Sequence, residues 1–221
     1  MEVEILSCLD GAREARGISV IIDVFRASNT ILACLGQGAE CVIPASSLDD
    51  ARGLKEKNSS CLLFGERKGL VPDGFDYGNS PDRASGMLLK GKRVIITTSA
   101  GTQGILGAVR SDEIIVGSFA NACAVVEYIN KRSPQRVSLV AIGFESHRAC
   151  VEDELCAEYI KERLLGKCPD FEGVKKEILR CDGAVCLRRL KQDDDLDFCL
   201  KLDVFDIVPV FDFESGCLFA R

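Results

Sequence analysis

Acidic, basic and hydroxyl side chains collect in three short segments, and each segment follows a run of apolar residues. DVFRAS begins at Asp23, GER begins at Gly65, and TTSAGT begins at Thr97. Carboxylates are the hard oxygen ligands that Mg²⁺ combines with water and phosphate oxygens. Arginine forks suit phosphate or sulfonate oxygens. The three segments together therefore indicate a site for a small anion, with a metal held by carboxylates.

Two acids and two arginines are the leading candidates within these segments. Asp23 and Glu66 each end a predicted strand, and Arg26 and Arg67 stand close behind them. Hydroxyl side chains beside predicted helix N-termini, where main-chain N–H groups favour an anion, form a candidate cradle: Ser28, Thr97, Thr98 and Thr102. Each feature alone also has a structural explanation, because a buried aspartate is often a cap and an adjacent Glu–Arg pair is often a surface ion pair.

The longest stretch without regular periodicity, Gly65–Arg83, holds four glycines and two prolines. A loop longer than about 12–15 residues in a compact domain is usually functional or disordered. Apolar residues such as Phe75 favour an ordered binding loop. Its Asp76 and Asn79 are candidates for completing the site, with the alternative that they hold the loop in shape through hydrogen bonds at its turns.

The elements that must position these segments alternate between strand and helix. ISVII from Ile18 is a continuous apolar run typical of a strand covered on both faces. A helix is predicted over Val151–Leu165, with Asp153 among the acids of its first turn. A polar turn is predicted at 191–198, followed by two extended segments. The pattern predicts a layered α/β/α fold with a largely parallel or mixed sheet, whose strand ends would gather the three segments at one edge.

An internal sequence similarity supports this prediction. The stretch that starts at Ile21 lines up with the stretch that starts at Ile95, and each is strand, polar loop and helix. We therefore expect one domain over residues 1–221, with an internal duplication of two similar halves, 18–85 and 92–165. The alternative is that any two βαβ units look alike.

Bulk composition excludes several other classes of function. The 221 residues carry a net charge of −6, which argues against a nucleic-acid binder. No apolar run is long enough to cross a membrane and no signal peptide is recognised, so we expect a cytoplasmic protein. Twelve cysteines without a C-x-x-C pair are expected to be reduced, and His147 is the single histidine. The oligomeric state is left open, a homo-oligomer included.

Several segments together resemble the 2-phosphosulfolactate phosphatase family. They are IDVFRASNTI, GER with GFDYGNSP, the Thr-Thr loop, GSFANACA, VEDELCAEYI and the tail LKLDVFDIVPVF. TTSAGT differs from the Thr-Thr-Asn-Gly-Thr form of the family. The resemblance implies a magnesium-dependent hydrolase that converts 2-phosphosulfolactate to sulfolactate and phosphate, a step toward coenzyme M.

The role of each residue under this resemblance is a hypothesis. Asp23 and Glu66 would hold Mg²⁺ or orient the attacking water, with Asp153 as a further metal ligand. Arg26 would act in catalysis and Arg67 in substrate binding. The hydroxyl cradle would bind the anion, and the two polar residues of the long loop would complete the site. The alternatives are a phosphatase or lyase for another small phosphorylated acid, and a non-enzymatic anion-binding protein.

Overall fold

A computed structural model describes residues 1–221, which contain nine β-strands in one mixed sheet and ten α-helices. The strands are β1 (Glu2–Ser7), β2 (Ile18–Ile22), β3 (Cys41–Pro44), β4 (Leu62–Gly65), β5 (Arg93–Thr97), β6 (Glu113–Gly117), β7 (Arg136–Ala141), β8 (Pro209–Asp212) and β9 (Cys217–Ala220). The helices are α1 (Cys8–Glu14), α2 (Ala27–Gly36), α3 (Leu48–Lys57), α4 (Pro81–Ser85), α5 (Gly101–Gly107), α6 (Ala122–Arg132), α7 (Val151–Leu164), α8 (Phe171–Ile178), α9 (Asp182–Arg189) and α10 (Asp193–Cys199).

The sheet consists of two parallel segments joined by a hairpin. Its order is β1-β7-β2-β6-β8-β9-β3-β5-β4. The strands from β1 to β6 in this order are parallel, as are β3, β5 and β4. The β8–β9 hairpin joins the two segments through three antiparallel pairings, so the segments run in opposite directions along the sheet. The predicted α/β fold with a mixed, mostly parallel sheet is confirmed.

The two predicted halves exchange their first strands. β2 pairs with β6 and β7, whereas β5 pairs with β3 and β4. The central strand of each parallel segment therefore comes from the other half of the chain. The pairings of β2 and β5 are reciprocal, while the duplication itself stays a prediction.

Helices cover both faces of the sheet. A cluster of 24 buried residues lies under α6 to α10, and includes Ile22, Phe119 and Ile160. A cluster of 23 buried residues lies under α1, α2, α4 and α5, and includes Ile31 and Ile105. These two cores produce the layered α/β/α arrangement, with the strands between them buried on both sides. No helix combines the length and the hydropathy that a membrane span requires.

The loop after β4 is ordered and folds back against that strand. Tyr77 O accepts a hydrogen bond from Gly65 N at 3.0 Å. The Phe75 ring packs over Gly65 so closely that a Cβ there would lie 2.6 Å from the ring. A glycine at this position is therefore what lets the aromatic ring fix the loop.

Several local predictions are wrong at their boundaries or in type. The predicted polar turn at 191–198 is largely α10, in which Leu196 and Phe198 are buried. α2 begins at Ala27, so Ser28 of the predicted hydroxyl cradle lies within the first turn of this helix. The strand β1 and the helices α1 and α9 were not predicted, because short elements with mixed polar residues give weak periodicity.

Candidate active site

The three predicted metal ligands lie at loops that follow β2 and β4 and at the start of α7. Asp23 lies between β2 and α2, Glu66 directly follows β4, and Asp153 lies in the first turn of α7. Their exposed fractions are 6%, 9% and 3%, so all three acids are buried. Buried carboxylates need hydrogen-bond donors. The donors in this site are main-chain N–H groups of neighbouring loops.

Asp23 joins the N-termini of two helices. Its Oδ1 accepts from Ala27 N at 3.2 Å, and its Oδ2 accepts from Gly101 N at 2.8 Å. These are the first residues of α2 and α5, whose N-termini favour negative charge. A Cβ at Gly101 would lie 2.5 Å from Ala27 Cβ, so the glycine allows the two helices to meet at this carboxylate.

Glu66 connects its own loop to the loop after β5. Its Oε1 accepts from Ser99 N at 2.8 Å, and its Oε2 accepts from Gly69 N at 2.9 Å. β4 and β5 are neighbours in the sheet, and Gly65 pairs with Thr97 at their carboxyl ends. The Thr-Thr loop and the start of the long loop therefore meet at this carboxylate.

Asp153 connects α7 to the loops after β2 and β7. Its Oδ1 accepts from Val24 N at 2.7 Å, and its Oδ2 accepts from Gly143 N at 2.9 Å. The neighbouring Glu152 is also buried, and the Cys181 thiol donates to its Oε2 at 3.2 Å. The start of α7 thus adds two more buried acids to the site.

The three polar segments do meet, but not along one edge of a parallel sheet. β2 and β5 are separated by four other strands in the sheet order, and their segments run in opposite directions. The contact between Asp23 and Gly101 nevertheless brings their loops together. The prediction of a shared edge is therefore wrong, whereas the meeting of the loops is confirmed by this hydrogen bond.

Burial and the charges of neighbouring acids raise the pKa values of Asp23, Glu152 and Asp153. Burial, with the negative charges of Glu66 and Glu152, raises the pKa of Asp23 from 3.8 to about 7. Burial and the charges of Asp23 and Glu152 raise the pKa of Asp153 well above its ordinary value. Burial also raises the pKa of Glu152. No lysine or arginine lies within 4.0 Å of the carboxyl groups of Asp23, Glu66, Glu152 or Asp153, so no cationic side chain favours their ionised form.

Carboxyl groups without cationic partners suit a divalent cation, which favours their ionised form, but the possible ligand set is smaller than the sequence predicted. No group of three histidine, cysteine, aspartate or glutamate side chains is arranged to hold a metal ion. Asp23, Glu66 and Asp153 therefore do not form a three-carboxylate site in this structure. Mg²⁺ commonly uses one or two carboxylates, with water and phosphate oxygens at its other positions. Asp23 and Glu66 are two buried carboxylates of the type that this smaller ligand set requires.

The two predicted arginines differ in their partners. Arg26 is 4% exposed and its Nη1 donates to Asp195 Oδ2 at 2.5 Å. Arg67 is half-buried, and its Nη2 donates to Thr97 Oγ1 at 3.1 Å while its Nη1 donates to Glu66 O at 2.6 Å. Arg67 has no carboxylate partner, so no acidic side chain of the protein balances its positive charge.

The hydroxyls of the predicted cradle are engaged within the protein. Thr102 Oγ1 accepts from Thr98 N at 3.1 Å, and Thr98 Oγ1 accepts from Thr102 N at 3.2 Å, which closes the turn before α5. Ser28 Oγ accepts from Asp23 N at 2.9 Å. Thr97 receives the hydrogen bond from Arg67. These side chains shape the loops, and their contact with an anion stays a prediction.

The two candidates from the long loop occupy different environments. Asp76 Oδ2 accepts from Leu63 N at 2.8 Å and from Lys55 Nζ at 3.2 Å. Asp76 therefore fixes the loop to β4 and α3, and the structure does not bring it to the buried acids. Asn79 is 4% exposed, and its Oδ1 has no hydrogen-bond partner. An unpaired buried amide oxygen of this kind suits a ligand or a water.

Asp195 is a buried acid that the sequence analysis missed. It is 4% exposed and binds Arg26, Ser80 and the Asp82 N–H. The sequence analysis predicts a polar turn at 191–198 around this residue. The available signal was Cys199, which lies four residues later and so shares a helix face with Asp195. That face is buried in the structure.

Comparison with known proteins supplies the family. A family model described as 2-phosphosulpholactate phosphatase matches residues 7–213. A protein of Thermotoga petrophila named "Probable 2-phosphosulfolactate phosphatase" is 37% identical over 204 residues, covering 86% of this chain and 87% of that protein. A protein of Carboxydothermus hydrogenoformans with the same name is 34% identical, covering 99% of this chain and 96% of its own length. By the extent of these matches, the chain belongs to the 2-phosphosulfolactate phosphatase family.

Proposed function

We propose that this protein is a magnesium-dependent phosphatase that hydrolyses 2-phosphosulfolactate to sulfolactate and inorganic phosphate. The observation that carries the proposal is the family match over residues 7–213, a span that includes every acid and arginine of the candidate site. The geometry supports it, because buried carboxylates and arginines meet where loops from both halves of the sheet come together. Phosphoryl transfer requires mainly positioning and neutralisation of charge.

Asp23 and Glu66 are the residues that would hold Mg²⁺ in the proposed mechanism. Both are buried, lie near enough for Glu66 to raise the pKa of Asp23, and lack cationic partners. A bound Mg²⁺ would supply charge neutralisation at the phosphate oxygens and would lower the pKa of water. Asp153 would set the positions of the loops after β2 and β7 through its two main-chain hydrogen bonds.

In the alternative in which Glu66 alone holds Mg²⁺, Asp23 is the proton-transfer group. Its pKa of about 7 in the metal-free protein lets its carboxyl group exchange a proton near neutral pH. In that reaction, Asp23 accepts a proton from the attacking water as the new P–O bond forms. The bond from phosphorus to the sulfolactate oxygen breaks, and Asp23 returns the proton to that oxygen. Arg67 would bind the phosphate or sulfonate oxygens.

Phosphate release is the direct test of this proposal. 2-Phosphosulfolactate and a panel of generic small phosphomonoesters would be supplied with magnesium, and again with a chelator. We expect release from 2-phosphosulfolactate that requires the metal. Release from none of the compounds would refute the phosphatase, and release from generic esters alone would favour a phosphatase for another small phosphorylated acid.

A pair of variants locates the chemistry within the proposed site. Asp23→Asn removes the carboxylate without a large change in shape, and we expect it to abolish turnover. Asp197→Asn makes the same chemical change on the exposed side of α10, and we expect full activity. Full activity in the Asp23 variant would place the reaction elsewhere.

We also propose a cytoplasmic location and a place in coenzyme M biosynthesis, because sulfolactate is the proposed product. Cell fractionation would test the first proposal. Loss of sulfolactate in cells that lack the protein would test the second. A protein found outside the cytoplasm, or an unchanged sulfolactate pool, would contradict them.

A further inference from the structure

α10 supplies a buried carboxylate that contacts two parts of the candidate site at once. Asp195 Oδ2 accepts from Arg26 Nη1 at 2.5 Å, and its Oδ1 accepts from Ser80 Oγ at 2.6 Å and from Asp82 N at 3.2 Å. Arg26 lies in the loop after β2, whereas Ser80 and Asp82 lie at the end of the long loop and the start of α4. One side chain therefore joins the loop that carries Asp23 to the loop that carries Glu66.

A second contact from the same region supports the start of the long loop. Gly69 O accepts from Gln192 Nε2 at 3.2 Å and from Arg26 Nη2 at 3.4 Å. Gly69 also donates its N–H to Glu66. The residues around α10 thus contact the long loop near both of its ends, and Arg26 lies between these contacts.

Burial of the Arg26–Asp195 pair indicates a role in geometry. Their side chains are 4% and 5% exposed. A buried ion pair is weak support for a gain in stability, because the cost of removing both charges from water offsets their attraction. The pair instead fixes the direction of the Arg26 guanidinium, since Asp195 accepts a hydrogen bond from one of its N–H groups and Gly69 O accepts one from another. The remaining N–H groups of Arg26 are then held in a single orientation.

We infer that Asp195 is a positioning residue of the active site, which orients Arg26 toward the phosphoester and holds the long loop against the loop after β2. Asp195 does not touch the reacting atoms and acts through Arg26 and the main chain. This inference rests on the proposed phosphatase function. A purely structural ion pair is the competing explanation, and it predicts a loss of stability without a specific loss of catalysis.

A double-mutant cycle separates these explanations. We expect Asp195→Asn to lower kcat/KM for 2-phosphosulfolactate by roughly 100-fold, because a displacement of about 1 Å in a catalytic group costs about this much. Asp197→Asn removes the same charge from the exposed side of the same helix and should leave kcat/KM unchanged. In an Arg26→Gln background, Asp195→Asn should lower kcat/KM by no more than about twofold, because residues that act through one another are not additive.

The Tm values of the same variants distinguish a positioning role of Asp195 from a purely structural one. Asp195→Asn leaves Arg26 buried without its partner, so its Tm should fall, and the Arg26→Gln/Asp195→Asn double variant should recover part of that fall. If Asp195 is only structural, the double variant should recover kcat/KM together with Tm. Such recovery, or independent losses that add in the double variant, would overturn the inference.

Amide hydrogen exchange keeps this test separate from the proposed function. We expect faster exchange at Gly69 and over residues 80–83 in Asp195→Asn than in Asp197→Asn, whatever the substrate is. A wild-type protein that releases no phosphate would refute the proposed function, and exchange would still report on the role of Asp195. Unchanged exchange in Asp195→Asn would refute the positioning role even if the wild type is an active phosphatase.

Discussion

Replacing Asp23 with asparagine is expected to abolish turnover. It should also make the protein increasingly stable relative to the wild type as the pH rises. Burial and the charge of Glu66 raise the pKa of Asp23 from 3.8 to about 7. Between these values the unfolded chain has lost the Asp23 proton and the folded chain keeps it. The free energy of unfolding of the wild type therefore falls as the pH rises toward the folded-state pKa.

The size of this effect follows from the width of the pH window. Each pH unit costs about 1.4 kcal/mol, and less close to the folded-state pKa, so ionisation of Asp23 should lower the free energy of unfolding of the wild type by roughly 2 kcal/mol between about pH 5 and about pH 7. Asparagine does not ionise and avoids this loss. It also accepts fewer hydrogen bonds, so either Ala27 N or Gly101 N loses its acceptor. That cost, about 1–3 kcal/mol, does not change with pH.

Urea unfolding over a series of pH values, with a chelator present, measures the difference in the free energy of unfolding between Asp23→Asn and the wild type. We expect this difference to shift by roughly 2 kcal/mol in favour of the variant from about pH 5 to about pH 7. Asp197→Asn controls for the change in net charge and should show no comparable shift. Added magnesium should stabilise the wild type more than the Asp23 variant, because a bound cation stabilises the folded state that holds it.

A difference in the free energy of unfolding between Asp23→Asn and the wild type that does not change with pH would refute this reasoning. It would mean that Asp23 ionises in the folded protein as easily as in the unfolded chain. The same result would remove its pKa as a reason to assign it proton transfer. Equal stabilisation of both proteins by magnesium would argue separately against Asp23 as a metal ligand.

Three further substitutions test other parts of the site. Gly101→Ala should lower the free energy of unfolding in urea by about 1–3 kcal/mol, because a methyl group there would lie 2.5 Å from Ala27 Cβ. The control Gly53→Ala, which has nothing within 4 Å, should be neutral or stabilising. Equal changes in the free energy of unfolding for the two variants would contradict the close approach of α2 and α5. Arg67→Ala should raise KM roughly tenfold with a smaller change in kcat, because a charged hydrogen bond to the anion is lost; an unchanged KM would exclude it as an anion ligand. Asp76→Ala should lower stability by about 1 kcal/mol and change kcat/KM by less than about twofold, because its carboxylate supports the loop; a large loss of activity at full stability would contradict that assignment.

The sequence was sufficient to predict the residues at the ends of long apolar strands. Asp23 and Glu66 stand out because a buried-type strand ends directly before each of them. The alternation of strands and helices likewise predicts the layered fold, and the extended segments at 205–212 and 217–221 contain the β8–β9 hairpin. These predictions depend on local periodicity and composition, which a single sequence displays directly.

Long-range pairing could not be predicted in the same way. Nothing local to β2 indicates that it lies between β6 and β7, since those pairings join residues about a hundred positions apart. Asp195 was missed for a related reason, because its partners Arg26 and Ser80 lie far away in the chain. A run of acids has the same local appearance whether its members are solvated or buried against an arginine.

The exchange of first strands between the two halves has a consequence for how the chain folds. Residues 18–85 alone contain β3 and β4 but lack β5, which lies between them in the sheet. Residues 92–165 alone contain β6 and β7 but lack β2, which lies between those two strands. A ribosome must therefore release β5 before the first half can complete a sheet, and β2 must remain unpaired until β6 and β7 emerge. A half-length ancestor with this topology would have needed a second copy of itself, as an intertwined homodimer, to fold at all.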